Sequence, residues 1–367
     1  MNNEVLRQKN SSLILKYVNN NGASSRKDIA EATGLTPASV TQITTSLIKE
    51  GILREVGVST DNTGNPGRHK VYLDINSKMF LTYTVNLEPD FTTIAICDLM
   101  GNLMNDSSNN TLIKRITTDN KKLPIDFLSS ICSICLELKS MLPMKYRNRI
   151  ENLSFTITGA VDRKNGISIH AYGIWNEEVN IQRTVESKLS VPVILENNVD
   201  AFAIAELFFG TGKKYDDLLV IKWGPGVGSS VIIDGDMYRG RHEKTAELGH
   251  VIVNPNGVLC ACGRRGCLET IVSEKAMSDK TCEIDTKTAI DIFARAIVNA
   301  GTILVPNRIV LFGNMIKREE LIDELIGACQ SYDPSFGERR IVRTSLSSKE
   351  HYIGPASLYT MKKLLCK

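Results

Sequence analysis

One imidazole and three thiols fall within eighteen residues of this chain: His250, Cys260, Cys262 and Cys267. Four nitrogen and sulfur donors are what zinc takes in a tetrahedral structural site, and Cys-x-Cys-x4-Cys with a histidine ten residues upstream supplies a Cys3His set. Gly263 and Gly266 interrupt the thiols, where the backbone must turn sharply to bring them round one ion. Scattered buried thiols beside a core histidine would not explain three cysteines in eight residues. The expected cofactor is Zn2+. The other six cysteines (Cys97, Cys132, Cys135, Cys282, Cys329 and Cys366) lie in mostly apolar surroundings without paired spacing, which suits a reducing cytoplasm.

Around this knuckle stand Gly224-Pro225-Gly226-Val227-Gly228, Glu247-x-Gly249-His250 and Cys267-Leu268-Glu269-Thr270, in that order. The arrangement resembles the signature of the ROK family (repressors, open reading frames and sugar kinases). The resemblance implies that His250 is both zinc ligand and sugar contact, and that Glu247 and Glu269 hold sugar hydroxyls. A metal fixing the His250 ring from one side would pre-orient it for a ligand on the other.

The resemblance covers residues 80–367. It implies an α/β body of the two-lobed actin, Hsp70 and hexokinase type (ribonuclease H-like), with sugar bound between the lobes. The residues agree with an α/β reading: strand-like runs at Leu81–Leu87, Thr92–Asp98, Leu153–Thr158 and Val191–Glu196, with helices at Ile125–Leu142 and Phe202–Phe209. Strands Leu218–Lys222 and Ser229–Asp234, a helix Lys287–Ala300 and a strand Arg308–Phe312 follow. Val272 to Arg308 is shorter than the family pattern, so one helix of the second lobe is expected to be missing or trimmed.

Three parts that a kinase of the family needs are altered. Where the family has an Asp-x-Gly-Gly-Thr turn to cradle phosphate, this chain has Asn86-Leu87-Glu88-Pro89-Asp90. Glu88 and Asp90 would repel phosphate, and Pro89 has no amide to donate. Where the family has an Asn-Asp pair supplying the general base, Asn197-Asn198 stand; an amide can bond a hydroxyl but cannot take its proton. Asp200, at a helix start, is expected to point elsewhere. The second phosphate loop keeps its glycines but carries Pro225 where a hydroxyl residue is usual. The expected sugar contacts all remain: Asn197, Asn198, Glu247, His250 and Glu269, with Asn176 as an addition.

The first 78 residues hold ten Lys/Arg against seven Asp/Glu and so carry the whole net charge of +3. Apolar residues from Val5 to Val18 recur at helical spacing. Ser24-Ser25 cap a second helix, Arg26–Thr33, which Gly34 breaks. Thr36 caps a third with Pro37 at its first position, Val40, Ile43, Leu47 and Ile48 facing inward, and Gly51 ending it. Two short helices joined this way form a helix-turn-helix, with Thr36, Ala38, Ser39, Thr41 and Gln42 offered to a major groove. Val56–Val58 and Lys70–Leu73 read as a wing whose tip presents Arg68 and His69 to a minor groove. This head resembles that of the ROK repressors, which the kinases lack.

The length suits two or three domains, expected at 1–78 (winged helix-turn-helix), 79–195 (first lobe) and 196–367 (second lobe with the zinc site, its C-terminal helix able to return to the first). A hydrophobic fraction of 42% and charged fraction of 23% are those of a soluble globular protein, with no apolar run that would serve as leader or membrane span. The expected function is a sugar-responsive DNA-binding regulator, a non-enzyme repressor of carbohydrate genes. Its expected partners are double-stranded operator DNA, a sugar effector and a second copy of itself, as a homodimer or dimer of dimers. The alternatives are an ATP-dependent sugar kinase, bifunctional or not, and a zinc-stabilised interaction module.

Overall fold

The computed structural model describes residues 3–58, 70–240, 246–279, 284–337 and 340–365. At the head, α1 (Asn3–Asn21) buries Ile14, Leu15 and Val18. The two-residue β1 (Ser24–Ser25) leads into α2 (Arg26–Thr33). Ser25 accepts from the Asp28 amide at 3.2 Å while the Asp28 carboxylate accepts from the Ser25 amide at 3.2 Å, so two amides at the helix start are satisfied reciprocally. Gly34, at φ 70°, closes the helix in the left-handed region.

The next helix, α3 (Pro37–Lys49), starts where Thr36 Oγ1 accepts from the Ser39 amide at 3.2 Å. Its buried face is Val40, Ile43, Thr44 and Leu47. Ile48, expected inward, is only half-buried, and Thr44 takes that place because its hydroxyl is satisfied by donating to the Val40 carbonyl at 2.8 Å. The hairpin β2 (Leu53–Val58) and β3 (Val71–Ile75) closes the head, in the sheet order β1-β3-β2. The wing tip, with Arg68 and His69, lies outside the described residues, as do Cys282 and Cys366.

The chain divides into two compact units, Met1–Ala201 with His351–Lys367, and Phe202–Glu350. The body of the first unit is β4 (Leu81–Leu87), β5 (Phe91–Asp98), β6 (Ile113–Thr117), α4 (Pro124–Met141), α5 (Met144–Arg147) and β7 (Ile150–Ile157). It continues through β8 (Gly159–Asp162), β9 (Ile167–Ala171), β10 (Val179–Asn180), α6 (Ile181–Leu189) and β11 (Val193–Asn197). The main sheet runs β11-β7-β4-β5-β6, with a small sheet β10-β9-β8. Phe127, Leu128, Ile131 and Cys135 of α4 pack into one core with Tyr83, Val85 and Phe155 of the sheet.

In that sheet β4, β7 and β11 are parallel, and Ile157 pairs with both Leu87 and Asn197. Residues 88, 158 and 198 therefore leave the sheet side by side at its carboxyl edge, where α/β sheets gather ligands. The helix α7 (Asn198–Phe209) starts four residues before the expected Phe202. Asn197 Oδ1 accepts from the amides of Val199, at 2.8 Å, and Asp200, at 3.4 Å, which caps the helix there.

The second unit holds β12 (Leu218–Trp223), β13 (Val227–Ile233), β14 (Asp236–Met237), α8 (Glu269–Val272), α9 (Glu274–Ser278), α10 (Thr286–Leu304), β15 (Arg308–Phe312), α11 (Glu319–Tyr332) and β16 (Ile341–Arg343), with sheet order β14-β13-β12-β15-β16. Phe293 and Ile297 of α10 and Leu325 of α11 meet Trp223 and Leu311 in its core. Among the described residues, α9 and α10 are the helices between Val272 and Arg308. The last helix, α12 (Glu350–Leu364), from His351 onward belongs to the first unit, where Thr360 donates to the Leu99 carbonyl at 2.7 Å and Tyr359 to Glu151 at 2.6 Å.

Candidate functional site

The knuckle of the second unit is built by a tight turn. The Cys260 amide donates to the Arg264 carbonyl at 2.8 Å and the Gly263 amide back to the Cys260 carbonyl at 2.9 Å. Gly266 must be glycine: at φ 69°, a Cβ there would lie 1.5 Å from the Asn254 carbonyl oxygen. The result gathers one donor atom each from His250, Cys260, Cys262 and Cys267, all within 4.8 Å of one another.

Two edges of that set, His250 Nδ1 to Cys260 Sγ and Cys262 Sγ to Cys267 Sγ, are both 3.6 Å. A tetrahedral ion with nitrogen and sulfur bonds of zinc length would give edges of about 3.5–3.8 Å, so the four residues fit a metal. Burial alone would raise the Cys262 thiol, but hydrogen bonds from the Arg264 backbone and side chain and from its sister thiols bring it down to about 6. Its sister thiols go the other way, burial raising Cys260 and pushing Cys267 up to about 12, so within the set the metal-binding thiolate form is favoured at Cys262.

His250 turns its other nitrogen away from this cluster: Nε2 lies 3.8 Å from Glu247 Oε2, beyond hydrogen-bond reach. Glu247 itself is 54% exposed at its side chain, whereas His250 is 13% exposed. Ala246, just before it, sits at φ 56°, an uncommon conformation for a residue with a Cβ. The Ser229 hydroxyl donates to the Ala246 carbonyl and accepts from the Leu248 amide at 3.1 Å, which holds this turn in place. Gly249 is required because a Cβ would meet the Val227 carbonyl oxygen at 2.0 Å. The Gly224–Gly228 loop is likewise engaged by the protein: Glu269 Oε2 accepts from the Val227 amide at 2.8 Å, and a Cβ on Gly226 would lie 2.8 Å from that oxygen.

Two of the expected contacts of the first unit, Asn197 and Asn198, stand at the carboxyl edge of its sheet. Asn197 Nδ2 donates to the Gly159 carbonyl at 2.8 Å, so its amide is engaged by the backbone at both ends. Asn198, 8% exposed, donates from Nδ2 to Glu88 Oε1 at 2.7 Å across 110 residues of sequence. Asp200 is held by Arg163, whose guanidinium reaches Asp200 Oδ2 and Glu196 Oε1, each at 2.6 Å. That pairing commits Asp200 away from base chemistry. Asn176 is exposed, beside the buried Trp175 whose indole donates to Ser168 at 3.0 Å. Sequence reasoning missed the Glu88–Asn198 bond and Arg163; only strand register could have shown them.

On the head, Thr36, Ala38, Thr41 and Gln42 are exposed and Ser39 is half-exposed, all in the first turns of α3. Thr41 donates to the Pro37 carbonyl at 2.8 Å. Thr45, one turn further, shares this face and was missed; the i+4 spacing from Thr41 was its signal. No helix among the described residues is long and apolar enough to cross a membrane.

Fold and site together define a winged helix-turn-helix head on a sugar-kinase-like α/β body with a Cys3His cluster. The ROK family profile matches residues 100–361, and a winged helix-turn-helix DNA-binding profile matches residues 7–54. The chain belongs to the ROK family. It is 27% identical over 268 residues to the xylose repressor of Bacillus subtilis, covering 73% of this chain and 66% of that one. It is also 27% identical over 286 residues to the DNA-binding transcriptional dual regulator NagC of Escherichia coli K12, covering 77% and 67%. The chain thus spans about two thirds of the length of these curated relatives. The crystal structure of a ROK family transcriptional regulator, a homologue of E. coli Mlc, superposes with TM-score 0.73 at 22% identity, covering 98% of each chain.

Proposed function

We propose that this chain is a sugar-responsive, DNA-binding transcription regulator that binds a sugar without phosphorylating it. The observation that carries the reading is Asn198: the residue that replaces the general base is an amide, and its nitrogen is tied to a carboxylate, Glu88, standing where a phosphate cradle would need glycine. Likeness to the xylose repressor and to NagC supports both the sugar effector and the repressor role. In this reading Zn2+ is held by His250, Cys260, Cys262 and Cys267, with Nδ1 of His250 toward the metal and Nε2 toward the sugar. Glu247, Glu269, Asn197, Asn198 and Asn176 supply the remaining sugar contacts. The 3.8 Å between Glu247 and His250 is a span that one hydroxyl can bridge with a hydrogen bond to each.

DNA would be read by Thr36, Ala38, Ser39, Thr41 and Gln42 in the major groove, with Arg68 and His69 of the wing in the minor groove, from a head spanning residues 1–78. Two heads are needed for paired half-sites, so the working form is a dimer or dimer of dimers, acting in the cytoplasm. The test is thermal-shift screening with D-xylose, D-glucose, N-acetylglucosamine and their phosphates, followed by fluorescence anisotropy on a DNA site selected from random sequence, with and without the stabilising compound. The expected result is one stabilising sugar that changes DNA affinity, with Glu247→Ala removing both effects and leaving zinc in place. Stabilisation by none of the panel, or DNA affinity indifferent to the stabilising sugar, overturns the reading.

A further inference from the structure

Glu88 sits in the β4–β5 turn with its main chain fixed on both sides. Its amide donates to the Phe91 carbonyl at 3.1 Å, and its carbonyl accepts from the Thr118 hydroxyl at 2.7 Å. Thr118 is in turn bonded to Thr92 at 2.9 Å. The side chain is therefore aimed from a rigid turn, and it meets Asn198 at 2.7 Å. A carboxylate only accepts, so it decides which end of the Asn198 amide faces it: the NH2 turns to Glu88, and Oδ1 is the end Asn198 offers elsewhere. Position 198 thereby presents an acceptor oxygen, as an aspartate would, but one that cannot remove a proton.

We infer that Glu88 is a specificity-determining residue of the effector site: it locks Asn198 as a hydroxyl acceptor and confines the effector to sugars carrying a free hydroxyl there. This inference rests on the proposed function. A sugar hydroxyl has a proton to give to Asn198 Oδ1. A phosphate ester at the same position has at neutral pH acceptor oxygens and negative charge, and it would face an acceptor amide backed by a carboxylate. The lock therefore selects the unphosphorylated sugar over its phosphate by unmatched hydrogen bonding at Asn198 Oδ1.

Calorimetric titration of full-length protein with D-xylose, D-glucose, N-acetylglucosamine and N-acetylglucosamine 6-phosphate, with glucose 6-phosphate and xylose 5-phosphate as controls, tests it. Wild type should bind a free sugar at least about tenfold more tightly than its phosphate, and Glu88→Gln should weaken the free sugar about three- to tenfold, the scale of one neutral hydrogen bond. Selectivity should narrow in Glu88→Gln and reverse toward the phosphate in Glu88→Lys. The double variant Glu88→Gln with Asn198→Asp should recover the free sugar, because the glutamine amide can donate to the carboxylate introduced at position 198 and leave an acceptor in place. A phosphate ester that binds wild type as well as the free sugar, or a Glu88→Gln that binds and selects like wild type, shows that the Glu88–Asn198 bond only ties the turn to α7 and overturns the inference. In that outcome Glu247→Ala still loses the sugar and the functional reading stands. Absence of binding by every compound in wild type fails the functional reading itself and the inference with it.

Discussion

The knuckle of the second unit and the strand-edge site of the first are built by opposite means. All four donors of the knuckle come from eighteen consecutive residues and need only a turn to meet. At the strand edge, Glu88 and Asn198 are 110 residues apart and meet because three parallel strands end in register. The first arrangement brings its thiols together in a set that fits a metal, which would neutralise them as thiolates. The second is held by sheet and core, and stands without any ion. On the proposed zinc site, the orientation of His250 and the Glu247 turn would depend on the metal, whereas the Glu88–Asn198 pair would not.

Metal removal should produce the largest effect and is the direct way to break that comparison. Cys262→Ser, or prolonged chelation, is expected to drop bound zinc from one per chain to near zero and to destabilise the second unit by several kcal/mol, given that structural zinc sites contribute about 10 kcal/mol or more in small domains. Hydrogen exchange should show the loss of protection confined to residues around 246–270, with the amides near Glu88 and Asn198 unchanged. Full zinc and unchanged melting in Cys262→Ser would remove this residue from the ligand set. Equal loss of protection at the strand edge would end the contrast between the two regions.

Phosphoryl transfer comes next in size. Loss of a general base is worth about 10² to 10⁴ in rate, and Glu88 and Pro89 in the place of a phosphate cradle add misalignment to it. No ATP-dependent phosphorylation of any stabilising sugar is therefore expected, in wild type or in Asn198→Asp, since repairing the base leaves the cradle filled. A coupled assay showing turnover of about one per second, the low end of ordinary kinases, would overturn the non-enzyme reading and move the chain to the bifunctional class.

The same contrast explains what could be read from sequence. The knuckle, the capped helices and the break at Gly34 are local: ligand spacing, Ser25, Thr36-Pro37 and a left-handed glycine act within a few residues, and all stand where their spacing put them. The four main strands and the family signature were legible for the same reason. What escaped is partly long-range and partly local, since β6, α6 and α11 were not read as elements either. The start of α7 at Asn198 is set by the Asn197 side-chain cap, and the Arg163 fork onto Glu196 and Asp200 joins a hairpin to the end of β11 and the start of α7 over 33 and 37 residues. Thr44 went inward in place of Ile48 because a backbone carbonyl one turn back could satisfy its hydroxyl, a detail apolar periodicity alone does not carry.

On the head, substitution of base-reading side chains should act at an intermediate scale and sharpen the assignment of α3. Gln42→Ala is expected to cost about 1–3 kcal/mol in discrimination at the base pairs it faces, with non-specific affinity nearly unchanged, whereas Arg68→Ala should matter most at sites with a narrow A·T-rich minor groove. Anisotropy on matched specific and scrambled duplexes measures both. Unaltered operator affinity in both variants would mean that another face of the head meets DNA.

The smallest effect is the most local one, the Ser25–Asp28 cap. The Ser25 hydroxyl donates to Asp28 Oδ2 at 2.8 Å, and this bond, opposed by burial and helped by the Ser25 amide and nearby Lys70 and Lys27, holds the Asp28 carboxyl below its ordinary value of 3.8. A carboxyl depressed by folding contributes stability above the pKa it has when unfolded, and that contribution fades as pH falls through the lower folded value. Ser25→Ala should therefore cost about 1 kcal/mol near neutrality, the usual worth of an N-cap, and should lose part of the acid sensitivity of the head, because Asp28 then has no hydroxyl to favour its ionised form. Since Asp28 is largely solvated, its share is the smaller part of that figure. Thermal melts of residues 1–78 within the full chain, followed by a probe on α2 at pH 7 and pH 3, should show the wild-type and variant midpoints converging at the acid end. Midpoints that stay equally far apart at both pH values would mean that the cap acts through the serine alone and that the reciprocal bond from Asp28 adds nothing.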